Sequence, residues 1–354
     1  AVDRAAAILS KAKSPLIVTA SAGRDMSAVG ALSDFADRHA IPVVEYRPRY
    51  VNLPGSHPMH GGYEVAPFIG EADAVLLLDC DVPWIPAQGG PKAGVPVIQV
   101  GADPLFARYP LRGFPADVAI AATVPATLAA LDAEMAHDEA AVAARRGKVR
   151  ARHEALKAKA AEALVPARNG AMTFAWATKC LGETAGPEAT FVNEYPMVRT
   201  AFDIDRPGGW FGSSPAGGLG WGLPAALGAK LAEPDRLVVA ALGDGSHMFA
   251  NPVVCHQIAA AYDLPILTVV FNNQQWGAVE RATLGMYPKG LGARANQMPL
   301  TSLSPSPAFE QVVEACGGWG AKVEDAEALP DVLAKAIDVV QGEKRQALVN
   351  VLVR

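Results

Sequence analysis

Two apolar runs that each end in polar residues constrain the fold of this chain more than any other feature. The first, 237–242, ends in Gly-Asp-Gly-Ser, and the second, 266–271, ends in Asn-Asn. Each run has the length and composition of a buried strand, and the segment between them is typical of a helix. Two parallel strands joined by a helix bring their carboxyl ends to one edge of the sheet, where ligands bind. We therefore expect Asp244 and Asn273 to meet there.

The residue types at these strand ends suit a divalent cation that carries a phosphate. A carboxylate (Asp244) and a side-chain amide oxygen (Asn273) are hard ligands. Mg²⁺ takes few protein ligands of this kind and fills its coordination sphere with phosphate oxygens and water. The neighbouring glycines let backbone N–H groups approach a phosphate closely. A single Gly-Asp-Gly would also suit an unrelated turn, whereas the two motifs in this order are a specific signal.

The pattern strand–GDGS–helix–strand–NN resembles the diphosphate-binding motif of thiamine-diphosphate enzymes. The resemblance is to the branch that contains acetolactate synthase, benzoylformate decarboxylase and pyruvate decarboxylase. It implies that Mg²⁺ is bound by Asp244, Asn273 and the backbone carbonyl of Gln275. It also implies further cofactor contacts from residues that follow the two motifs, namely Gly245, Ser246, Trp276, Gly277 and Ala278.

A glycine-rich loop ahead of the first motif extends the resemblance. Residues 213–222 read SSPAGGLGWG and precede a helix, and glycines crowded at a helix start permit close approach of the backbone to a ligand. In the family, the carbonyl at Gly217 accepts a hydrogen bond from the 4′-amino group of the cofactor's aminopyrimidine. Leu219 would prop the cofactor into its bent form, and Gly218 between them belongs to the same cofactor-binding loop.

The strand that precedes this loop carries a further cofactor contact by resemblance. Glu194 ends that strand, in the segment that approaches the diphosphate in the family. Pro196 and Met197 stand where relatives often have hydroxyl residues, which leaves the phosphate contacts of this segment open. His247, directly after Gly-Asp-Gly-Ser, either lines the site or caps the next helix. His256 is expected to be a packed histidine inside that helix.

The first third of the chain alternates apolar runs with helical segments, which is typical of βαβ units around a parallel sheet. Candidate strands cover 15–20, 41–45, 72–79 and 95–100, and a candidate helix covers 26–39. Together with the second half of the chain, this alternation predicts an α/β fold with two doubly wound parallel-sheet domains.

The predicted domain order is similar to that of the family. A Rossmann-like middle domain covers 1–135, a helical connector rich in Ala, Glu, Lys and Arg covers 136–168, and the diphosphate-binding domain covers 169–354. Pro166 and Gly170 mark the end of the connector. The family's N-terminal pyrimidine-binding domain has no counterpart in this sequence. The chain opens inside a helix without methionine, so we expect residues ahead of it.

Composition argues against several other classes. The 354 residues carry a formal net charge of −5 and no basic run, which argues against a nucleic-acid partner. Apolar residues make up 51%, yet no apolar segment approaches the roughly 20 residues needed to cross a bilayer, so no membrane partner is expected. The four cysteines show no CxxC spacing, so we predict free thiols in a reducing cytoplasm.

Two features of the first domain could suggest other ligands. His57 and His60 have a spacing that could serve a metal, but the proline and glycines around them predict a solvated loop. Some members of the family bind FAD or an ADP-containing group in the middle domain. The GxGxxG fingerprint of a dinucleotide site is missing from this sequence, so such a group is possible here without support from the residues.

The resemblance implies a thiamine-diphosphate- and Mg²⁺-dependent enzyme, a lyase or a transferase. It would decarboxylate a 2-oxo acid, join the resulting acyl unit to an acceptor, or do both. The catalytic residue is unassigned, because the family's activating Glu lies on the pyrimidine-binding domain. That domain would be supplied by the same gene or by another chain. A homodimer or homotetramer is expected. The alternative is a non-catalytic cofactor-binding or regulatory subunit.

Overall fold

The chain divides into two compact units. The computed structural model describes residues 1–136, 138–168, 171–212, 216–295 and 297–354. Gly170 of the predicted connector end and residues 213–215 of the glycine-rich loop lie outside the described residues. The first unit comprises Ala1–Glu162 and Asp203–Phe211, and the second comprises Ala163–Phe202 and Gly212–Arg354.

The strands and helices alternate along most of the chain. In chain order, the strands are β1 (Pro15–Thr19), β2 (Val43–Glu45), β3 (Ala74–Leu78), β4 (Val97–Gly101), β5 (Val118–Ala121), β6 (Ala167–Arg168), β7 (Ala171–Met172), β8 (Thr190–Glu194), β9 (Trp210–Phe211), β10 (Val238–Gly243), β11 (Leu267–Asn272), β12 (Trp319–Val323) and β13 (Ala347–Leu352). The helices are α1 (Val2–Lys11), α2 (Ser27–His39), α3 (Ala66–Ile69), α4 (Val124–Glu134), α5 (Glu139–Glu162), α6 (Phe174–Ala185), α7 (Gly222–Ala232), α8 (Asp244–Phe249), α9 (Pro252–Ala261), α10 (Gly277–Met286), α11 (Leu291–Arg294), α12 (Phe309–Ala315) and α13 (Leu329–Gln341).

The first unit is a doubly wound parallel sheet with the strand order β2-β1-β3-β4-β5. Successive residues of a strand point to opposite faces, so each face of the sheet has its own core. Ile17 joins the core that includes α1, α2 and α4, whereas Leu16 and Val18 join the core that includes Phe68 of α3. The predicted connector corresponds to α5, which belongs to this unit and buries Val149.

His60 is part of a buried network, so the prediction of a solvated loop was wrong for this residue. His60 is 4% exposed, and its Nε2 lies 2.9 Å from Oε2 of the buried Glu45. The His60 Nδ1 accepts the Gly62 N–H, and Oε1 of Glu45 accepts the backbone and side-chain N–H groups of Asn52. The prolines and glycines around His60 shape the turn without exposing it, because Glu45 on β2 provides a buried partner.

The second unit contains five parallel strands in the order β12-β13-β11-β10-β8. The register pairs Gly243 with Phe271, and Leu242 with Glu194, so β8, β10 and β11 end at the same edge. These central strands are buried almost throughout, as expected for a sheet covered on both faces. The predicted α/β class with two parallel-sheet domains is therefore confirmed.

The helix after β10 differs from the single helix that the sequence predicts. Gly-Asp-Gly-Ser is not a turn before a helix, because α8 begins at Asp244 itself. A break at Asn251, which has a left-handed φ of 54°, separates α8 from α9. Asparagine tolerates this conformation, and Pro252 suits the first position of the next helix. In the ranges that the structure describes, no helix is both long and apolar enough to cross a membrane.

Candidate functional site

A cleft of about 440 Å³ opens in the second unit at the edge where β8, β10 and β11 end. Most of the residues predicted to bind a cofactor or metal line it, although they come from three separate segments. Those residues are Gly217, Leu219, Asp244, Gly245, Ser246, Asn273, Gln275, Trp276, Gly277 and Ala278. The two other predicted residues, Glu194 and Gly218, do not line the cleft in the described part of the chain.

Asp244 places a buried carboxylate in this cleft. The residue is 4% exposed, and its Oδ1 accepts the Gly245 N–H at 2.8 Å. Its Oδ2 is buried and accepts no hydrogen bond from any residue that the structure describes. Burial raises the pKa of the carboxyl, and the nearby N–H groups of Gly245, Gln274 and Gln275 oppose that rise. A buried oxygen without a partner is costly, so this site fits a cation.

The two asparagines after β11 have different environments. Asn272 is buried within the unit, where its Nδ2 donates to Ser306 Oγ at 2.8 Å and to Asn350 Oδ1 at 3.1 Å. Asn273 instead lines the cleft beside Asp244, and its Oδ1 accepts the Gln275 N–H at 3.1 Å. The second asparagine is therefore the one that can offer an oxygen to a ligand.

The turn after these asparagines is held by backbone hydrogen bonds on both sides of Gln275. The Trp276 N–H donates to the Thr301 carbonyl at 2.8 Å, and the Leu303 N–H donates to the Gln274 carbonyl at 2.8 Å. Gln274 has a left-handed φ of 56°, which turns the chain sharply at this point. The peptide groups around Gln275 are thus pre-positioned beside Asp244 and Asn273.

Two glycines of the site lie close against neighbouring side chains. A Cβ on Gly245 would overlap the indole ring of Trp276, so the GDGS helix and the turn after Asn273 pack directly against each other. A Cβ on Gly277 would lie 2.9 Å from Asn273 Nδ2. Both glycines are predicted to allow close approach to a phosphate, and at Gly245 the structure also leaves no room for a side chain between the two motifs.

The composition of the site suits Mg²⁺ better than a soft metal. Within the described ranges, no group of three or more His, Cys, Asp or Glu side chains could hold a metal ion together. The cleft instead offers the Asp244 carboxylate, the Asn273 amide oxygen and backbone groups, which Mg²⁺ accepts when a phosphate and water supply its other ligands. The residues present therefore fit a Mg²⁺-bound diphosphate.

Sequence reasoning missed several cleft residues that lie outside the motifs. Phe174 comes from the start of α6, Val198 from the segment after β8, and Arg281 from α10. Arg281 follows Gly277 by one helical turn, so helical periodicity alone could have placed it on the same face. Phe174 could not be found locally, because α6 reaches the cleft only through the fold.

His247 and His256 form a buried pair beneath the site. His247 does not line the cleft, and its Nε2 lies 3.4 Å from Nε2 of His256. The Gln346 Nε2 donates to the His256 carbonyl, which orients Gln346 Oε1 to accept the His256 Nδ1–H at 2.8 Å. His247 must then donate from Nε2, which leaves its buried Nδ1 as an acceptor without a described partner. Burial lowers the pKa of both imidazoles, which favours their neutral forms, and His256 is the packed residue that the sequence predicts.

This pair should make the second unit sensitive to acid. Burial, and then the neighbouring His256, lowers the pKa of His247 from 6.5 to about 3, and burial lowers the pKa of His256. Below pH 6.5 the unfolded chain binds more protons than the folded chain. The free energy of unfolding therefore keeps its full value above pH 6.5 and falls as the pH drops towards 3. The loss from His247 should approach about 1.4 kcal/mol per pH unit within this range, and His256 should add to it in the same direction.

Urea unfolding at several pH values between 7 and 5 would measure this dependence. The variant His247→Asn keeps a polar side chain that does not titrate, and it should flatten the slope relative to the unchanged chain. Equal slopes for the two proteins would contradict the assignment of His247 as a neutral buried base.

The first unit has polar side chains at the edge where a nucleotide would be expected, but they bind one another. Asp81, which lies just after β3, forms an ion pair with Arg49. It also accepts a hydrogen bond from the Tyr109 hydroxyl. Arg112 donates to the backbone carbonyls of Cys80 and Asp81. An FAD or ADP group in this unit stays a prediction from the family alone.

Two family descriptions match this chain. Residues 2–131 match "Thiamine pyrophosphate enzyme, central domain", and residues 193–351 match "Thiamine pyrophosphate enzyme, C-terminal TPP binding domain". The sulfoacetaldehyde acetyltransferase of Rhodobacter capsulatus is 29% identical over 392 residues, which cover 99% of this chain and 63% of the relative. The acetolactate synthase isozyme 3 large subunit of Escherichia coli is 34% identical over 143 residues, which cover 40% of this chain and 23% of the relative.

Solved structures have the same fold. A thiamine diphosphate-dependent 4-hydroxybenzoylformate decarboxylase of Rhodococcus jostii superimposes with a TM-score of 0.77 at 21% identity, over all of this chain and 64% of that chain. The chain spans less than two thirds of the length of the relatives described here. The two family matches together cover most of the sequence. The chain therefore belongs to the thiamine pyrophosphate enzyme family, whose central and C-terminal, cofactor-binding domains it matches.

Proposed function

We propose that the second unit binds thiamine diphosphate through Mg²⁺ held by Asp244, Asn273 and the backbone carbonyl of Gln275. The observation that carries this proposal is the buried Asp244 carboxylate, whose Oδ2 has no described partner in a cleft shared with Asn273. The diphosphate would lie at this end of the cleft. The aminopyrimidine would lie towards Gly217 and Leu219, which line the same cleft.

The proposed reaction is decarboxylation of a 2-oxo acid, transfer of the resulting acyl unit to an acceptor, or both. When bound, thiamine diphosphate supplies the electron sink for an acyl carbanion equivalent. The chain's own residues hold the cofactor's charge and fix its orientation, while aromatic and aliphatic side chains such as Phe174 and Val198 exclude water from the cleft. The relatives include an acetyltransferase, an acetolactate synthase and a decarboxylase, which supports both a transferase and a lyase reaction.

The pyrimidine-binding domain is proposed to complete the active site. An apolar surface on α8 and α9 exposes Met248, Phe249, Val253 and Val254 to solvent, at 42% to 62% of each residue's area. The Phe249 ring packs edge-on against Trp276 at 5.5 Å, which connects this surface to the cleft. We place the pyrimidine-binding domain with its activating Glu on this surface. This domain would come from the same gene or from another chain of a homodimer or homotetramer.

The four cysteines are free thiols, which supports a cytoplasmic location.

The proposal is tested by adding Mg²⁺ and thiamine diphosphate to the purified 354-residue chain. Trp276 lines the cleft, so tryptophan fluorescence should report binding, and chelation of Mg²⁺ should reverse it. We expect binding without release of CO₂ from pyruvate or benzoylformate, and turnover once a pyrimidine-binding domain is supplied. Failure of the cofactor to bind would refute the proposal. Binding that never leads to turnover, with any 2-oxo acid, would favour a regulatory subunit.

A further inference from the structure

We propose that Glu194 and Tyr195, at the end of β8, act together as positioning residues for the glycine-rich loop. This clamp, defined as Glu194 and Tyr195, would hold residues 217–222 as the wall that receives the aminopyrimidine ring. The inference deepens the proposed function and rests on it. It gives Glu194 a different role from the diphosphate contact that the family resemblance implies.

Glu194 holds the C-terminal half of the loop with both carboxylate oxygens. Its Oε1 accepts the Gly220 N–H at 2.7 Å, and its Oε2 accepts the Gly222 N–H at 2.6 Å. The residue is fully buried, so its charge is compensated by these N–H groups rather than by water. A carboxylate with both oxygens engaged in this way is poorly placed to approach an anionic diphosphate.

Tyr195 holds the N-terminal end of the loop. Its hydroxyl donates to the Gly217 carbonyl at 3.3 Å, and both residues line the cleft. Tyr195 has a left-handed φ of 81°, which is costly for a residue with a Cβ and indicates that its surroundings impose this geometry. A carbonyl oxygen has two lone pairs, so Gly217 can accept from Tyr195 and from an amino group of a ligand together.

The loop has little freedom to move away from this clamp. A Cβ on Gly222 would lie 3.0 Å from the Cβ of Glu194, so the backbone of the loop lies directly against the strand end. On its other side, a Cβ on Gly220 would lie 2.5 Å from the Phe249 carbonyl oxygen. The loop is thus enclosed between β8 and α8, and the clamp decides where the Gly217 carbonyl lies.

Comparing two ligands separates this role from a contact with the diphosphate. The ligands are thiamine diphosphate and inorganic diphosphate, both titrated with Mg²⁺. The variants Glu194→Gln and Tyr195→Phe should weaken thiamine diphosphate binding by about tenfold and a few-fold respectively, as expected for the loss of a charged and a neutral hydrogen bond. Inorganic diphosphate should bind all variants equally, because it does not reach the loop.

The matched controls carry the same substitutions at exposed positions of the second unit. Glu327→Gln and Tyr262→Phe should bind both ligands as the unchanged chain does. Hydrogen exchange provides a readout without any cofactor. The peptide that contains Gly220 and Gly222 should exchange faster in Glu194→Gln than in Glu327→Gln, because the carboxylate protects those two amides.

The outcomes distinguish the inference from the proposed function. If thiamine diphosphate does not bind the unchanged chain, the proposed function fails and the clamp loses its role. If it binds, but the two clamp variants bind it as tightly as the controls, only the clamp is refuted. An equal loss for both ligands would also refute it, because Glu194 would then act at the diphosphate.

Discussion

Replacing Asp244 with alanine should abolish the Mg²⁺-dependent binding of thiamine diphosphate. Removing one partner of a buried charge pair costs roughly 2–5 kcal/mol, so the affinity should fall by at least about 30-fold. Without Mg²⁺, the same variant should be at least as stable as the unchanged chain. The reason is that alanine removes a buried carboxylate whose Oδ2 has no described partner.

Calorimetric titration with and without Mg²⁺, together with urea unfolding, would measure both effects. Asp325→Ala is the control, because Asp325 is exposed in the loop after β12 and should leave binding unchanged. Asp244→Asn keeps the shape of the side chain without its charge. Its affinity for thiamine diphosphate should lie between those of the unchanged chain and Asp244→Ala. Unchanged affinity in Asp244→Ala would remove this residue from the metal site.

Replacing Gly220 with alanine should disrupt the glycine-rich loop and with it the cofactor site. Gly220 has a left-handed φ of 88°, and a Cβ there would lie 2.5 Å from a backbone oxygen that cannot rotate away. A forced left-handed conformation costs of order 1–3 kcal/mol, and the overlap with the Phe249 carbonyl adds to it. We expect lower stability in urea and loss of thiamine diphosphate binding.

The variant Gly228→Ala, in the helix that follows the glycine-rich loop, is expected not to lower stability. Gly228 is exposed within α7, and a Cβ there would meet nothing within 4 Å. Because alanine favours a helix over glycine by about 0.5–1 kcal/mol, this variant should be as stable as the unchanged chain or more so. A result in which Gly220→Ala is as stable as Gly228→Ala would contradict the described conformation of the loop.

Strands buried on both faces could be predicted from the sequence, whereas interrupted or half-exposed strands could not. The predicted strand 190–194 coincides with β8, and the run 266–271 lies within one residue of β11. The edge strand β5 alternates buried and exposed positions, and its short apolar run 118–121 continues into Ala122, so no polar residue marks its end. In β13 the run is interrupted by Asn350, which is buried because it pairs with Asn272 and Glu310.

Most residues that line the cleft could be named from the sequence, because they stand in short local motifs at a strand end or helix start. Their partners were not predictable, because they depend on contacts between distant segments. Glu194 lies in the segment predicted to approach the diphosphate, yet its carboxylate accepts hydrogen bonds from Gly220 and Gly222 through contacts that only the fold creates. In the same way, the sequence left the role of His247 open, because its partner His256 is held by Gln346 on a distant segment.

The most direct test of the Mg²⁺ and thiamine diphosphate site is a crystal structure of the chain grown with thiamine diphosphate and Mn²⁺, which takes similar oxygen ligands and scatters anomalously. We predict an anomalous peak between Asp244 Oδ2, Asn273 Oδ1 and the Gln275 carbonyl, with the cofactor's diphosphate against it. Density for the cofactor with its metal bound anywhere other than at Asp244 would contradict this account.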